Sequence, residues 1–296
     1  MMPAPNDFAG TVLGDEVFNL GEGPVYEPDT DTAWWFDILQ RKLVEYSLAD
    51  ERLKVHDLPM MASAMARIDA GRQLIFSEDG LCIRETKSGA LSRYLDVESD
   101  KPETRSNDAR VHPSGAMWVS TMGKKGEDGA GTIYHVRKGK LTPLFPRISV
   151  PNAICFSADG AIGYFTDTRQ GDVMRVALDP QTGLPDGEPA VFIAKNATPG
   201  NPDGAIIGAD GNFYNARHKA GSVDMYSPAG QHVKTFKVPA AQVTCPAFVG
   251  AKADRLLVTS SYERMDAAAR EADPLAGATF LLDEAVSGRH DPRFVL

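Results

Sequence analysis

The sequence predicts an all-β chain folded as a six-bladed β-propeller. Three observations predict it. A short segment rich in aromatic and β-branched residues recurs six times: Trp-Trp-Phe-Asp (34–37), Leu-Ile-Phe-Ser (74–77), Met-Trp-Val-Ser (117–120), Tyr-Phe-Thr-Asp (164–167), Phe-Tyr-Asn-Ala (213–216) and Leu-Leu-Val-Thr (256–259), with starts 40 to 49 residues apart. A tight polar turn precedes each, among them His-Pro-Ser-Gly (112–115), Ser-Ala-Asp-Gly (157–160) and Gly-Ala-Asp-Gly (208–211). Gly, Asp and Asn supply the positive φ angles that hairpin turns demand. A third apolar segment follows each of the six, and such a period of short strands is the mark of a propeller. A β-sandwich with irregular strands is the alternative.

Taken in order, residues 11–20 precede the first blade. They are expected to supply the outer strand of the last blade, covering an edge that would otherwise pair with other chains. Third strands are expected at 43–48, 81–85, 132–137, 173–178, 222–226 and 278–283, and further strands at 53–58, 91–95, 141–145, 190–194 and 232–238. Residues 262–276 have high helix propensity up to Pro274 and read as a short lid helix or an exposed connector. Residues 1–296 are read as one propeller domain.

Composition narrows the function. Hydrophobic residues make up 43% and charged residues 24% of the 296, as in ordinary globular chains. The formal net charge of −9, with no Lys/Arg-rich run, argues against nucleic acid as a partner and against an anionic membrane surface. Cys82, Cys155 and Cys245 are isolated, which fits a reducing compartment. With no signal-peptide pattern and no apolar run of membrane-spanning length, a cytoplasmic protein is expected. The sequence assigns no oligomeric state.

Blade geometry then locates a site. The first strand of each blade lines the centre, and the second runs antiparallel to it, so first-strand starts and second-strand ends share one face. The long connections 96–107, 122–131, 194–203 and 261–277 fall on that face, where function usually sits. At the six first-strand starts stand Glu22, Ser63, Asn107-Asp108, Asn152, Asp203 and Thr244-Cys245. A carboxylate, an amide oxygen and a second carboxylate, from Glu22, Asn152 and Asp203, make an all-oxygen set. Such ligands suit Ca²⁺, Mg²⁺ or Mn²⁺ and can accept Zn²⁺. Three ligands leave positions open for water and substrate.

The segments Gly-Glu-Gly-Pro-Val-Tyr (21–26), Arg-Ser-Asn-Asp (105–108) with Met-Trp-Val-Ser-Thr-Met (117–122), Pro-Asn-Ala-Ile-Cys-Phe-Ser (151–157) with Tyr-Phe-Thr-Asp (164–167), and Pro-Asp-Gly (202–204) together resemble the gluconolactonase/senescence-marker-protein-30 (regucalcin) family. The likeness runs through nearly the whole chain in order. It implies a six-bladed propeller with one catalytic divalent cation that hydrolyses a small sugar lactone to the aldonic acid. It implies that Glu22, Asn152 and Asp203 are metal ligands, that Arg105 and Asn107 bind substrate, and that Asp203 is the candidate general base. The chain departs from the family at 123–131, where Lys124, Lys125 or Glu127 stands in place of an acidic substrate-binding residue.

The chemistry is consistent with that expectation. A divalent cation can polarise an ester carbonyl and lower the pKa of water, and Asp203 can accept the proton of the attacking water. Arg105 offers several planar donors for sugar oxygens, although an ion pair with Glu103 or Asp108 is an alternative. Asp108 is a candidate for orienting Arg105 or a ligand. No Gly-x-Ser-x-Gly elbow is present, against a serine hydrolase. Cys245 reads as a packed small residue, His112 as structural, and His218 as either pocket-lining or a surface-loop residue. Two other functions remain open: a propeller hydrolase of organophosphates or aryl esters, and a non-catalytic calcium-binding or protein-binding propeller.

Overall fold

The computed structural model describes residues 8–296, and the fold is the expected six-bladed β-propeller: six sheets, each of four antiparallel strands. By contacts the chain divides into two compact units, one of residues 8–58 and 198–290, the other of 59–197 and 291–296.

The first unit holds three sheets. The first blade is β2 (Gly21–Glu27), β3 (Thr32–Asp37), β4 (Lys42–Ser47) and β5 (Arg52–Asp57). The fifth is β18 (Asn201–Ile207), β19 (Phe213–His218), β20 (Ser222–Tyr226) and β21 (His232–Lys237). The sixth has the order β1 (Gly10–Val12), β24 (Phe280–Leu282), β23 (Arg255–Ser260), β22 (Val243–Val249). As expected for the segment before the first blade, β1 is the outer strand of the last one, pairing Gly10 with Leu282 and Val12 with Phe280.

The second unit holds the other three: β6 (Ala62–Asp69) to β9 (Leu91–Asp96) through β7 (Arg72–Ser77) and β8 (Gly80–Glu85); β10 (Thr104–Val111), β11 (Met117–Gly123), β12 (Gly131–Arg137) and β13 (Lys140–Ile148); and β14 (Pro151–Phe156), β15 (Ile162–Asp167), β16 (Val173–Ala177) and β17 (Ala190–Ile193). The helix expected in 262–276 is confined to α1 (Ala267–Ala272), capped by Asp266 and stopped before Pro274. No helix among the described residues is long and apolar enough to cross a membrane.

Burial falls from the first strand of a blade to the last. Strands β3, β11, β14 and β22 are buried along their whole length, while β5, β9 and β21 are largely exposed. The recurring aromatic segments are therefore the inner sheet faces. A sheet packed on both faces reads as a continuous apolar run rather than an alternation. In the first unit, Trp35, Phe18 and Tyr46 form one core, and Tyr214, Phe236, Phe248 and Phe280 another. In the second, Trp118, Phe156 and Phe165 pack together, as do Phe76, Val119 and Phe294.

His112 is structural, as the sequence suggests. It is fully buried in its turn, with Nε2 2.9 Å from the Gly160 carbonyl and its ring edge-on to Phe156. The last residues form no strand but are tightly held. Ser287 O accepts from Ala209 N at 2.8 Å, and His290 Nε2 lies 2.9 Å from Gly250 O in the first unit. In the second unit, Arg110 Nη1 donates to Asp291 Oδ2 at 3.0 Å, Arg67 donates to the Asp291 carbonyl, and Phe294 N donates to Arg67 O at 2.7 Å.

Candidate functional site

Every first strand carries a register shift just inside its start. The pairing slips by one residue between Glu22 and Val25 in β2, Ser106 and Ala109 in β10, Asn152 and Cys155 in β14, Pro202 and Ala205 in β18, and Val243 and Pro246 in β22. An extra residue bends the strand and re-aims its side chains. Apart from Arg105, which pairs regularly with Met122, the candidate residues fall in these bulges, but not at one position as their spacing suggests. Glu22 and Asn152 stand at the first position of the slip. Asn107, Asp203 and Thr244 stand one residue later, because the second position is built in two ways.

In β2 and β14 the second position is left-handed, with φ of 57° at Gly23 and 56° at Ala153. Ala153 is fully buried, so its neighbours must hold a conformation that a residue with a Cβ seldom adopts. Opposite these two bulges are Trp35 and Phe165, and the strands bearing them end in Asp37 and Asp167. Each of these carboxylates clamps the chain leading into the neighbouring first strand. Asp37 accepts from Asn19 N (2.6 Å) and Leu20 N (3.3 Å), and Asp167 accepts from Ser149 N (2.9 Å) and Val150 N (3.1 Å). The sequence showed both Asp residues but not that they set the approach to Glu22 and Asn152.

The other bulges are pinned by side chains. Ser120 Oγ donates to Asp108 O at 2.6 Å, and Thr259 Oγ1 to Cys245 O at 3.1 Å. In the fifth blade the residue opposite is Ala216, and the neighbouring Asn215 takes over. Its Nδ2 donates to Asp203 O at 2.8 Å and Gly204 O at 3.1 Å. Asn215 Oδ1 accepts from Arg217 Nη1 at 3.2 Å. Arg217 Nη2 also donates to Thr198 O at 3.1 Å and Gly200 O at 2.8 Å. Two buried side chains of β19 thus fix the backbone on both sides of Asp203. Glycine is required at 204, because a Cβ there would lie 2.4 Å from Cys245 Sγ. Cys245 is fully buried, the packed residue that the sequence suggests.

In the first unit Glu22 Oε2 accepts from Gly23 N at 3.0 Å, and Thr244 donates to Gly21 O. In the second unit, side chains join three of the candidate residues directly. Arg105 Nη1 donates to Asn107 Oδ1 at 2.8 Å and Asn107 Nδ2 donates to Asn152 Oδ1 at 3.1 Å, while Asn152 Nδ2 donates to Thr168 Oγ1 at 2.9 Å. All three are buried. Both amides are thereby oriented, and the second lone pair of the Asn152 oxygen is the one suited to a hard cation. Ser63 Oγ donates to Asn107 O at 2.5 Å.

Arg105 is buried on its own strand and donates to Ser106 O (2.7 Å) as well as Asn107. Asp108 Oδ2 accepts from Ile154 N at 2.8 Å and so steadies the strand of Asn152 instead of Arg105. Burial pushes the Asp108 carboxyl up, against the opposing pull of Arg110. Lys124 pairs with Glu78 at 2.6 Å, and Glu127 Oε2 accepts from Lys125 N at 3.1 Å.

No three His, Cys, Asp or Glu side chains cluster among the described residues. A set of Glu22, Asn152 and Asp203 contains only two of these types. By donor chemistry alone, two carboxylates and an amide oxygen fit a divalent cation.

His218, the last residue of β19, lines a cavity whose wall includes none of the candidate ligands or substrate-binding residues. Burial, with Lys219 adding to it, pushes its imidazole down to about 4. The unfolded chain takes up this proton below about pH 6.5, and the folded chain resists it until about 4, so stability is lost as pH falls through that window. His218→Asn is expected to remove up to about 3 kcal/mol of that acid loss. Urea unfolding at stepped pH checks this, and an unchanged pH slope would refute it.

Comparison with known proteins places these features in context. The family model for the SMP-30/Gluconolactonase/LRE-like region matches residues 20–262. A Rhizobium meliloti protein, provisionally named a sugar lactone lactonase, is 50% identical over 289 residues, covering 98% of each chain. A pentonolactonase of Haloferax volcanii is 32% identical over 295 residues, covering 96% of this chain and 97% of its own. A crystal structure from Agrobacterium tumefaciens, described as the calcium-binding protein regucalcin, is 52% identical with a TM-score of 0.96, covering 98% of both chains.

Proposed function

The chain belongs to the SMP-30/gluconolactonase/LRE-like family, and from that premise we propose that it is a lactonase opening a sugar lactone to the aldonic acid. In this reading Glu22, Asn152 and Asp203 hold one divalent cation (Ca²⁺, Zn²⁺, Mg²⁺ or Mn²⁺), Arg105 and Asn107 bind the substrate, and Asp203 is the general base. The observation that carries it is the buried chain of hydrogen bonds from Arg105 through Asn107 to Asn152. It links the proposed substrate donors to a proposed ligand with no flexible step between them.

A divalent cation on such donors supplies Lewis-acid polarisation of an ester carbonyl and acidifies water beside it. The chain's own residues do the rest. Asp203, its backbone fixed by Asn215, takes the proton of the attacking water. The acyl–oxygen bond of the ring then breaks, and that proton passes to the departing hydroxyl. Arg105 directs its remaining donors at the sugar oxygens, with a guanidinium held by Ser106 O and Asn107 Oδ1 rather than free to turn. The soluble cytoplasmic setting expected from the sequence suits a small sugar acid as product.

The test is a pH-indicator screen of aldonolactones against each of the four cations, before and after chelation. Chelation is expected to abolish ring opening and re-addition to restore it. Full activity in verified metal-free protein would overturn the cation. No opening of any lactone, with tight calcium binding, would favour a non-catalytic calcium-binding protein.

A further inference from the structure

The cavity beside His218 is not used by the mechanism above. It has a volume of about 400 Å³ and lies within the first unit, walled by His218 at the end of β19 and Lys219 after it, Gln242 before β22, Arg264 and Met265 before α1, and Ala269 within α1. Its place in the fold is specific. His218 pairs across the sheet with Asn201, the first residue of the strand that carries Asp203 two residues on. Gln242 stands two residues before Thr244, in the bulge of the next first strand. The cavity therefore lies at the strand ends from which Asp203 and Thr244 are two residues away along the chain.

Its chemistry limits what can enter. Two cations, Lys219 and Arg264, face two anions, Glu263 and Asp266, so the lining presents no net charge. Arg264 is engaged by Glu263 at 3.3 Å, and the Asp266 carboxylate accepts from Ala269 N at 2.9 Å. The neutral His218 ring is hydrogen-bonded to Gln242 through one nitrogen and has the other to offer a ligand without charge. Met265 and Ala269 add apolar surface for C–H faces. Neutral hydrogen-bonding groups against small apolar patches suit a hydroxylated carbon chain, and an anionic group would gain no field from the lining.

We propose that this cavity is a subsite for the exocyclic polyhydroxyl arm of the sugar lactone, so that the enzyme selects lactones whose ring carries an extended arm. This inference rests on the lactonase reading. The arm hydrogen-bonds His218 and Gln242 while the ring ester lies toward Asp203.

The experiment compares two aldonolactones with the same five-membered ring, one carrying a dihydroxyethyl arm and one only a hydroxymethyl group. Wild type, Ala269→Trp, which fills the cavity from an exposed helix, and Gln242→Ala are measured on both. The wild type is expected to favour the longer arm. Both variants are expected to lower the long-to-short ratio of kcat/KM about tenfold, mainly through KM for the longer lactone. A ratio unchanged in both variants, or both lactones slowed in step, overturns the subsite while leaving the lactonase intact. A wild type that opens neither lactone brings down the lactonase reading itself, and is seen before any variant is made.

Discussion

Asp203→Asn is expected to lower kcat/KM on a sugar lactone by about 10²–10⁴-fold, the usual worth of a positioned general base. The substitution keeps the shape of the side chain and removes its basicity. The backbone should stay in place, because Asn215 donates to the carbonyls of 203 and 204 whichever group the side chain carries. The variant should therefore keep the fold of the wild type. Measuring turnover at saturating cation, with metal content determined on the same sample, separates loss of the base from loss of a ligand. Activity within a few-fold of wild type would remove Asp203 from the chemistry.

Phe294→Ala should destabilise the protein by about 3–5 kcal/mol, the range for emptying a buried aromatic site. Phe294 is 2% exposed and packs with Phe76, Val111, Val119 and Val136, edge-on to Tyr94. It is the anchor of a segment without regular structure. Its amide is bonded to Arg67 O, and the next amide to Gly115 O at 3.0 Å. Just before it, Asp291 receives Arg67 and Arg110, two buried arginines that would otherwise lose this partner. Urea unfolding of wild type and variant reads the cost. A loss under about 1 kcal/mol would mean that the terminal residues merely rest on the sheets.

What the sequence reveals, and what it hides, divides by range. The period of Trp34, Leu74, Met117, Tyr164, Phe213 and Leu256 is a local signal, since each aromatic or β-branched run must fill the space between two sheets wherever it falls. Most strand bounds agree with the expected ones within two residues. Residues 11–20 were expected to close the last blade as a strand, and only Gly10–Val12 does so, since Pro-free sequence alone says nothing of where pairing stops. The starts of the first strands, from which the candidate residues were chosen, were legible because they recur with the blade period. The bulges were not, since strands buried on both faces show no alternation whose phase a one-residue slip could invert. Asn215 and Arg217 were overlooked for a related reason: in a buried inner strand, a polar residue carries no sign of which carbonyl it holds. Phe294 and Asp291 follow a stretch with no periodic pattern, and their partners lie far away in sequence.

The pairing of Gly10–Val12 with Phe280–Leu282 also has a consequence for how the chain is made. The two strands lie far apart in sequence, so during synthesis the first must wait until Phe280–Leu282 have emerged. Until then the sixth sheet is incomplete and its unsatisfied backbone groups are open to neighbouring nascent chains. Contacts of such wide separation form late, after the entropy of closing a very long loop has been met. Refolding from denaturant should accordingly end in a slow phase that reports the docking of this one short strand, and crowding with unfinished copies should be the condition under which the protein aggregates.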